Sequence, residues 1–328
     1  MRVRLLSRSD VQRLLTWPDA IRLQGEAFGL LSAGEAVNPL KTVIVTERPD
    51  AEILFMPALL KGGRGFGLKY VSDFSGNPAM GLPHLQALVL LLDGRTGTPT
   101  AILEARHLTD VRTGASAGIA TQVLARAEAE VVTVFGAGAV AGPALVAVCH
   151  VRRVRKVWVC GRTEARARAF IERMRGEGPP VPADIEFAGD RRRAVREADI
   201  VVAGTNAKAA VFDGRDLRPG THVNSLGNST GRELDAETVR RSKVLMDSRE
   251  GCLAYSRDIL EAIREGTIRQ ENLYGELGEV LIGRKPGRVN DREITLFKSL
   301  GVAIQDLITA QHVLREAERR RIGTDFDL

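Results

Sequence analysis

Cysteine is scarce in this chain of 328 residues: Cys149, Cys160 and Cys252 are the only three, and none forms a C-x-x-C pair. An odd, unclustered set argues against a disulfide framework and against a zinc site, and it fits a reducing cytoplasm. Lysine is also scarce. Only eight of the 47 basic residues are lysine, leaving 39 arginines against 41 acidic residues and a formal charge of +6. The arginines form short runs, such as Arg152, Arg153 and Arg155 or Arg191 to Arg193. No aromatic interleaving or nucleic-acid module accompanies them, so solvated surface charge is the expected reading and no nucleic-acid partner is. Uninterrupted apolar runs of membrane length are missing as well. Val131 to Cys149 comes nearest, but Gly136, Gly138, Gly142 and Pro143 break it into a strand, a turn and a helix. The first residues, MRVRLLSRSDVQRLL, place charges where a signal peptide needs an apolar core. With 44% hydrophobic and 27% charged residues, the composition excludes a disordered chain and matches a globular one without a membrane partner.

The pattern changes along the chain. WPDAIRLQGEAFGLLSAG has helical spacing in Ile21, Phe28 and Leu31, ending at Ser32-Ala33-Gly34. KTVIVTE, EILFMPAL, FGLKYVSDF and LQALVLLLD read as strands between Pro, Gly and Asp turn signals, and Asp93-Gly94 predicts a turn before TAILEA. From residue 130, VVTVF, VWVC, IVVA, HVNSL and VLMD are short apolar runs alternating with helical stretches at 139–150, 163–175, 191–198 and 235–242. Strands covered by helices on both faces read this way. The expectation is an α/β protein: a Rossmann-type doubly wound parallel sheet over residues 125–301, plus an α+β domain over 1–124 and 302–328. The last part, SLGVAIQDLITAQHVLREAERRR, reads as a helix able to pack back on the first domain.

VVTVFGAGAVAGPALVAV places Gly136, Gly138 and Ala141 in a G-x-G-x-x-A arrangement between a strand and a helix, the context a dinucleotide loop requires. Gly136 permits the tight turn, Gly138 the approach of a pyrophosphate, and Ala141 close packing of helix on strand. The amides of Ala139 and Val140 are then expected to face the phosphates at the positive helix end. After the next strand, NAD-preferring sites carry an acidic residue for the ribose hydroxyl. This chain has Cys160-Gly161-Arg162-Thr163 there, and Arg162 suits a 2′-phosphate. That predicts NADP(H) in preference to NAD(H), unless Arg162 is simply one more solvated arginine.

Two cations elsewhere attract notice. LTDVRTGASAGIATQVLA predicts a helix capped by Thr109 or Asp110, with Arg112 in its first turn. The helix dipole disfavours a cation there, which an adjacent anion would explain. Gly114, Ser116 and Gly118 leave room for a ligand or for another backbone. In FGLKYVSDF, Lys69 alternates onto a face with small and apolar residues. There it can donate to a carboxylate or lose its proton, although alternation alone does not separate this from an edge-strand lysine.

NPLKTVIV, FMPAL, GLKYV, LPHLQALVLLLD, LTDVRTGASAGIAT, VFGAGAVA, VCGRTEARA, NSLG with RELD, LGEVLIG and FKSLGVAIQD occur in this order over about residues 38 to 310. As a set they resemble the ornithine cyclodeaminase/mu-crystallin family. The resemblance implies a homodimer whose first domain, completed by the C-terminal helix, supplies the interface and the substrate pocket, while a Rossmann domain holds NAD(P). It implies that Lys69 and Arg112 are the catalytic and carboxylate-binding cations, that His84 contacts nicotinamide, and that Thr163, Thr205, Ser225 and Leu226 belong to cofactor loops. Ser299, Leu300 and Gly301 match the segment returning to the nicotinamide, with Gly301 on the substrate side.

Two departures from the family pattern bear on function. Lys41 stands where members usually carry an arginine, keeping the charge without the bidentate fork. After NSLG, cyclodeaminases place an aspartate that activates water. Here Asn228-Ser229-Thr230 follow, in a loop about one residue shorter, and neither Asn nor Ser serves as a carboxylate base. The expectation is therefore an NAD(P)H-dependent reductase or dehydrogenase of small imino or amino acids, of the ketimine, pyrroline-2-carboxylate or alanine-dehydrogenase type. Ornithine cyclodeamination to proline and ammonia with bound NAD is the alternative, and a non-enzymatic NADP-binding carrier or sensor the second.

Overall fold

Turn signals and apolar alternation through the first hundred residues produce a run of strands, and apolar blocks after residue 130 produce strand–helix alternation. The computed structural model describes residues 1–48, 51–227 and 231–328. Its elements begin with β1 (Arg2–Leu6), α1 (Arg8–Leu14), α2 (Trp17–Ser32), β2 (Ala36–Val37) and β3 (Thr42–Val45). Next come β4 (Ala51–Leu60), β5 (Gly65–Phe74), β6 (Leu85–Leu92), β7 (Pro99–Glu104) and α3 (Arg106–Leu124). The alternating part comprises β8 (Val131–Phe135), α4 (Ala141–Val151), β9 (Lys156–Cys160), α5 (Glu164–Glu177), β10 (Ile185–Phe187), α6 (Arg191–Glu197) and β11 (Ile200–Ala203). It continues through β12 (His222–Ser225), α7 (Ala236–Arg241), β13 (Ser242–Met246), α8 (Arg249–Tyr255), α9 (Arg257–Arg264), β14 (Gly275–Glu276), α10 (Leu277–Leu281) and β15 (Ile294–Lys298). The chain closes with α11 (Ala303–Arg320) and β16 (Thr324–Asp327).

These elements form two units: Met1–Arg112 with Val302–Leu328, and Thr113–Gly301. The sequence pattern sets the first boundary at residue 124. The division instead falls inside α3, because one 19-residue helix carries the chain out of the first unit and into the second.

In the first unit the sheet order is β16-β1-β7-β6-β5-β4-β2, with β3 also on β4. All neighbours are antiparallel except β1 and β7. The side chains of Met56, Lys69 and Val89 sit in one cross-strand row and are buried. The helix α2 starts from Thr16, whose hydroxyl accepts from the Asp19 amide, and buries Ile21, Leu23, Gln24 and Phe28. The C-terminal α11 packs against it and against β4, β5 and β6. On the other face of the strands, Phe55, Leu68, Tyr70 and Leu90 are half-buried and Leu88 is exposed.

The second unit is a parallel sheet of order β10-β9-β8-β11-β12-β15-β13-β14. Chain order reverses between β8 and β11, the switch point at which doubly wound sheets bind ligands beyond their carboxyl ends. Strands β11 and β12 are fully buried: IVVA of β11 is apolar throughout, while His222, Asn224 and Ser225 of β12 are buried with their side chains hydrogen-bonded. The stretch Val131–Cys149 is β8, the glycine turn and most of α4. No helix among the described residues is long and apolar enough to cross a membrane.

Candidate functional site

Lys69 lies on β5, flanked on both sides by β4 and β6, which removes the edge-strand reading. Its Nζ is 2.7 Å from Asp306 Oδ2, and both side chains are 2% exposed. Burial and the neighbouring Arg112 lower its pKa to about 8, against the opposing pull of Asp306. Arg112 is held from two directions. Its Nε donates to Asp306 Oδ1 at 3.1 Å and its Nη1 to Gln305 Oε1 at 3.1 Å. A buried chain of amides continues behind it, Gln305 Nε2 donating to Gln24 Oε1 at 3.0 Å and Gln24 Nε2 to Thr309 Oγ1 at 3.1 Å. The remaining nitrogen of Arg112, Nη2, has no hydrogen-bond partner among the described residues. Lys41 is half-buried and contributes repulsion to Lys69.

Asp306 is the residue that sequence reasoning missed. It sits inside the quoted segment FKSLGVAIQD, but a charge in an amphipathic helix reads as a solvated position. Its place in the first turn of α11 gives the carboxylate the favourable end of the helix dipole. Arg112 is also not in the first turn of its helix. α3 begins three residues ahead of Thr109 because Glu104 accepts from the Arg106 and His107 amides at 2.8 and 3.3 Å. Of the small residues of α3, Gly114 serves the backbone alternative, since a Cβ there would lie 2.4 Å from the Pro143 carbonyl carbon.

In the second unit, the turn after β8 has the shape of a phosphate loop. Gly136 has φ +110°, and a Cβ there would meet the Gly204 carbonyl oxygen at 2.5 Å, so only glycine fits the switch point. Beside Gly138 nothing lies within 4 Å of where a Cβ would stand. Gly138 and Ala139 are exposed, Ala141 is buried, and Val140 caps α4 without any side-chain hydrogen bond. Unsatisfied amides opening a helix into free space suit a pyrophosphate, so the residues present fit a dinucleotide. At the end of β9, Arg162 is exposed with no protein partner among the described residues. Thr163 beside it caps α5, accepting from the Arg166 amide at 3.4 Å.

The other cofactor-loop positions are tied down by two buried carboxylates. Glu233 accepts from the Thr205 amide at 2.5 Å, the Ser225 hydroxyl at 3.1 Å and the Gly227 amide at 2.7 Å. Lys298 donates to the same Ser225 hydroxyl at 3.0 Å and pairs with Asp258 at 2.7 Å, both charges 1% exposed. Burial opposes the Lys298 charge, but Asp258 and Glu233 more than offset it and its pKa is raised. Asp247 accepts from the Ser299 hydroxyl and from the Leu300 and Gly301 amides at 2.8, 2.8 and 2.7 Å, fixing Gly301 at φ +80°. Leu226 is buried, its amide on the Ala203 carbonyl at 2.8 Å. His84 belongs to the first unit, its Nε2 2.5 Å from Asp73 Oδ1. Asn228, Ser229 and Thr230 lie outside the described residues. No metal-binding cluster occurs among the described residues.

A parallel sheet wound in this order, with a glycine turn opening an uncapped helix at its switch point, defines a Rossmann-type dinucleotide fold. The chain belongs to the ornithine cyclodeaminase/mu-crystallin family, whose profile matches residues 1–321. A Δ1-pyrroline-2-carboxylate reductase from Bacillus cereus is 33% identical, over 97% of this chain and 98% of the relative. The solved structure of Thermococcus litoralis Δ1-pyrroline-2-carboxylate reductase, in complex with NADH and L-proline, is 40% identical. It superposes with a TM-score of 0.93, covering 98% of this chain and 99% of that one. An archaeal alanine dehydrogenase dimer with bound NAD is 32% identical, with a TM-score of 0.92 and complete coverage of both chains.

Proposed function

We propose that this protein is an NAD(P)H-dependent oxidoreductase acting on C–N bonds, reducing small imino acids such as Δ1-pyrroline-2-carboxylate or Δ1-piperideine-2-carboxylate. An alanine-dehydrogenase-like reaction on pyruvate and ammonia is the close variant. One observation carries the reading: Lys69 and Arg112 share a single buried carboxylate, Asp306. A cluster of two cations and one anion withdrawn from water is completed by a further anion, and a substrate carboxylate supplies it. The relatives described above act on such substrates.

Reduction of a C=N bond consumes a hydride and a proton. NAD(P)H, held by Gly136, Gly138, Ala139, Val140 and Ala141 with Thr205, Ser225, Leu226, Ser299 and Leu300, supplies the hydride. The chain's own groups do the rest. Arg112 binds the carboxylate through Nη2, assisted by Lys41. Lys69, which keeps two N–H groups beyond its ion pair, donates one to the imine nitrogen and delivers the proton as the nitrogen becomes an amine. In the oxidative direction the neutral lysine takes that proton back. Fixing both cations before the substrate arrives lowers the entropic cost of the reactive arrangement. His84 and Gly301 are assigned to the nicotinamide and substrate ends respectively.

The test is a panel of imino and oxo acids assayed by loss of absorbance of the reduced cofactor, with ammonia release from ornithine measured in parallel. Oxidation of cofactor by pyrroline-2-carboxylate supports the reading. Ammonia and proline from ornithine without net cofactor turnover would make the protein a cyclodeaminase, and tight cofactor binding without turnover would make it a carrier. We also assign NADP(H) as the preferred cofactor, from the exposed Arg162 and the absence of an acid at the end of β9. In the same assay Arg162→Ala is expected to lower the NADPH/NADH ratio of kcat/KM by about tenfold or more, the scale of one charge-assisted phosphate contact. An unchanged ratio refutes that assignment.

The apolar second face of the first unit's sheet supports a homodimer. Phe55, Leu68, Tyr70, Leu88 and Leu90 leave an apolar surface that a second copy would cover. Light scattering is expected to give the mass of two chains, and Leu88→Asp to shift it toward one; a wild-type monomer at micromolar concentration would sink the proposal.

A further inference from the structure

The two buried cations of the first unit, Lys69 and Arg112, are both organised around Asp306. Its two oxygens are divided, Oδ2 on Lys69 at 2.7 Å and Oδ1 on Arg112 Nε at 3.1 Å, and it is 2% exposed. The charged groups facing Lys69 are Asp306 from α11, Arg112 from α3 and Lys41 from the segment ahead of β3. Gln305 and Gln24, also buried, are neutral and engage Arg112 and each other. Among these groups Asp306 is the single anion.

We propose that Asp306 is the positioning residue of the anion site: by bridging Lys69 and Arg112 it keeps the lysine protonated and aims the guanidinium, so that the cluster of the three meets a substrate carboxylate with one net positive charge. The physical reason is the cost of an unpaired charge out of water. Two cations within hydrogen-bond reach of one carboxylate remain charged; without it, the lysine, which alone of the two can shed a proton, becomes neutral. Proton donation to the imine nitrogen then fails at a pH where the wild type still performs it. This inference rests on the imine-reductase reading for its kinetic test and is independent of it for its binding test.

The experiment compares wild type, Asp306→Asn and Asp306→Glu. In the reductive direction with pyrroline-2-carboxylate, the alkaline limb of kcat/KM against pH is expected to move acidward by at least one pH unit in Asp306→Asn. It should return toward the wild-type position in Asp306→Glu. A uniform loss of rate at every pH, with the limb in place, would mean that Asp306 only supports the fold, and would overturn the proposal. The second measurement uses pyrrole-2-carboxylate, which cannot be reduced, in calorimetry across pH 6 to 9. The pH at which wild-type affinity falls by half should likewise move acidward in Asp306→Asn, and an unmoved midpoint overturns the proposal. Wild-type binding of this probe without turnover of any imino acid would refute the imine-reductase reading and leave the test of Asp306 intact.

Discussion

Replacing Lys69 by methionine is expected to lower kcat/KM for imino-acid reduction by about a thousandfold, within the range of ~10²–10⁴ supplied by a positioned proton donor. Methionine fills the volume beside Met56 and Val89 without a charge, so the sheet should be retained. Asp306 keeps Arg112 as its partner, and the carboxylate is still bound. The dissociation constant for NADPH, read by its fluorescence, should be unchanged because the dinucleotide loops belong to the second unit. The wild-type enzyme sets the accompanying pH dependence. Burial first, then Arg112, lowers the Lys69 pKa to about 8, so the group is protonated below that pH and neutral above it. Reduction, which needs the proton, should therefore fall as pH rises through about 8, while oxidation, which needs the free amine, should rise. A Lys69→Met enzyme within tenfold of wild type would remove lysine from the chemistry.

The second large effect concerns stability. Asp258→Asn should destabilise the second unit by about 3–5 kcal/mol, the usual result of removing one partner of a buried ion pair. Asp258 accepts from the Glu233 and Leu234 amides through one oxygen, at 2.7 and 2.9 Å, and pairs with Lys298 through the other. Asparagine can keep the two amide contacts but presents its NH₂ to the buried ammonium. The damage thus comes from the stranded charge, and adding Lys298→Met should recover most of it, since neutral replacements of whole buried pairs cost little. Each unit holds one tryptophan, Trp17 in the first and Trp158 in the second. Urea unfolding followed by Trp158 fluorescence in a Trp17→Phe background therefore reports the second unit. The midpoint should fall in Asp258→Asn with the slope unchanged, and climb back in the double variant. A single variant that unfolds like wild type would contradict the pair's structural role.

Local rules carried the reading of the chain far. The apolar blocks VVTVF, VWVC and IVVA became β8, β9 and β11 because a strand covered on both faces buries nearly every position, whereas HVNS became β12 with its buried His222, Asn224 and Ser225 each hydrogen-bonded. The glycine turn was legible for a similar reason: Gly136 is forced by φ +110° and by the Gly204 carbonyl, a backbone demand that one residue type meets. Strands β1, β15 and β16 were not anticipated. RVRLL and TDFD mix charges into their alternation, and ITLFK follows a charged loop, so none of the three gives a strong period. The cap candidates Thr109 and Asp110 lie inside α3, which starts at Arg106, because Glu104, a strand residue, supplies the cap.

What the sequence by itself determined was the class of fold, the dinucleotide turn, and the unusual status of two cations in a chain that writes arginine by default. Lys69 shows itself through alternation, which is a local property. What only the tertiary structure decided is the company those cations keep. Asp306 lies 237 positions from Lys69 and 194 from Arg112, on a helix whose period alone would put a charge in water. Likewise, Glu233, Asp258 and Lys298 are ordinary charged residues until the sheet brings them together. Burial of a charge depends on partners that chain folding supplies from afar, and no local period encodes them.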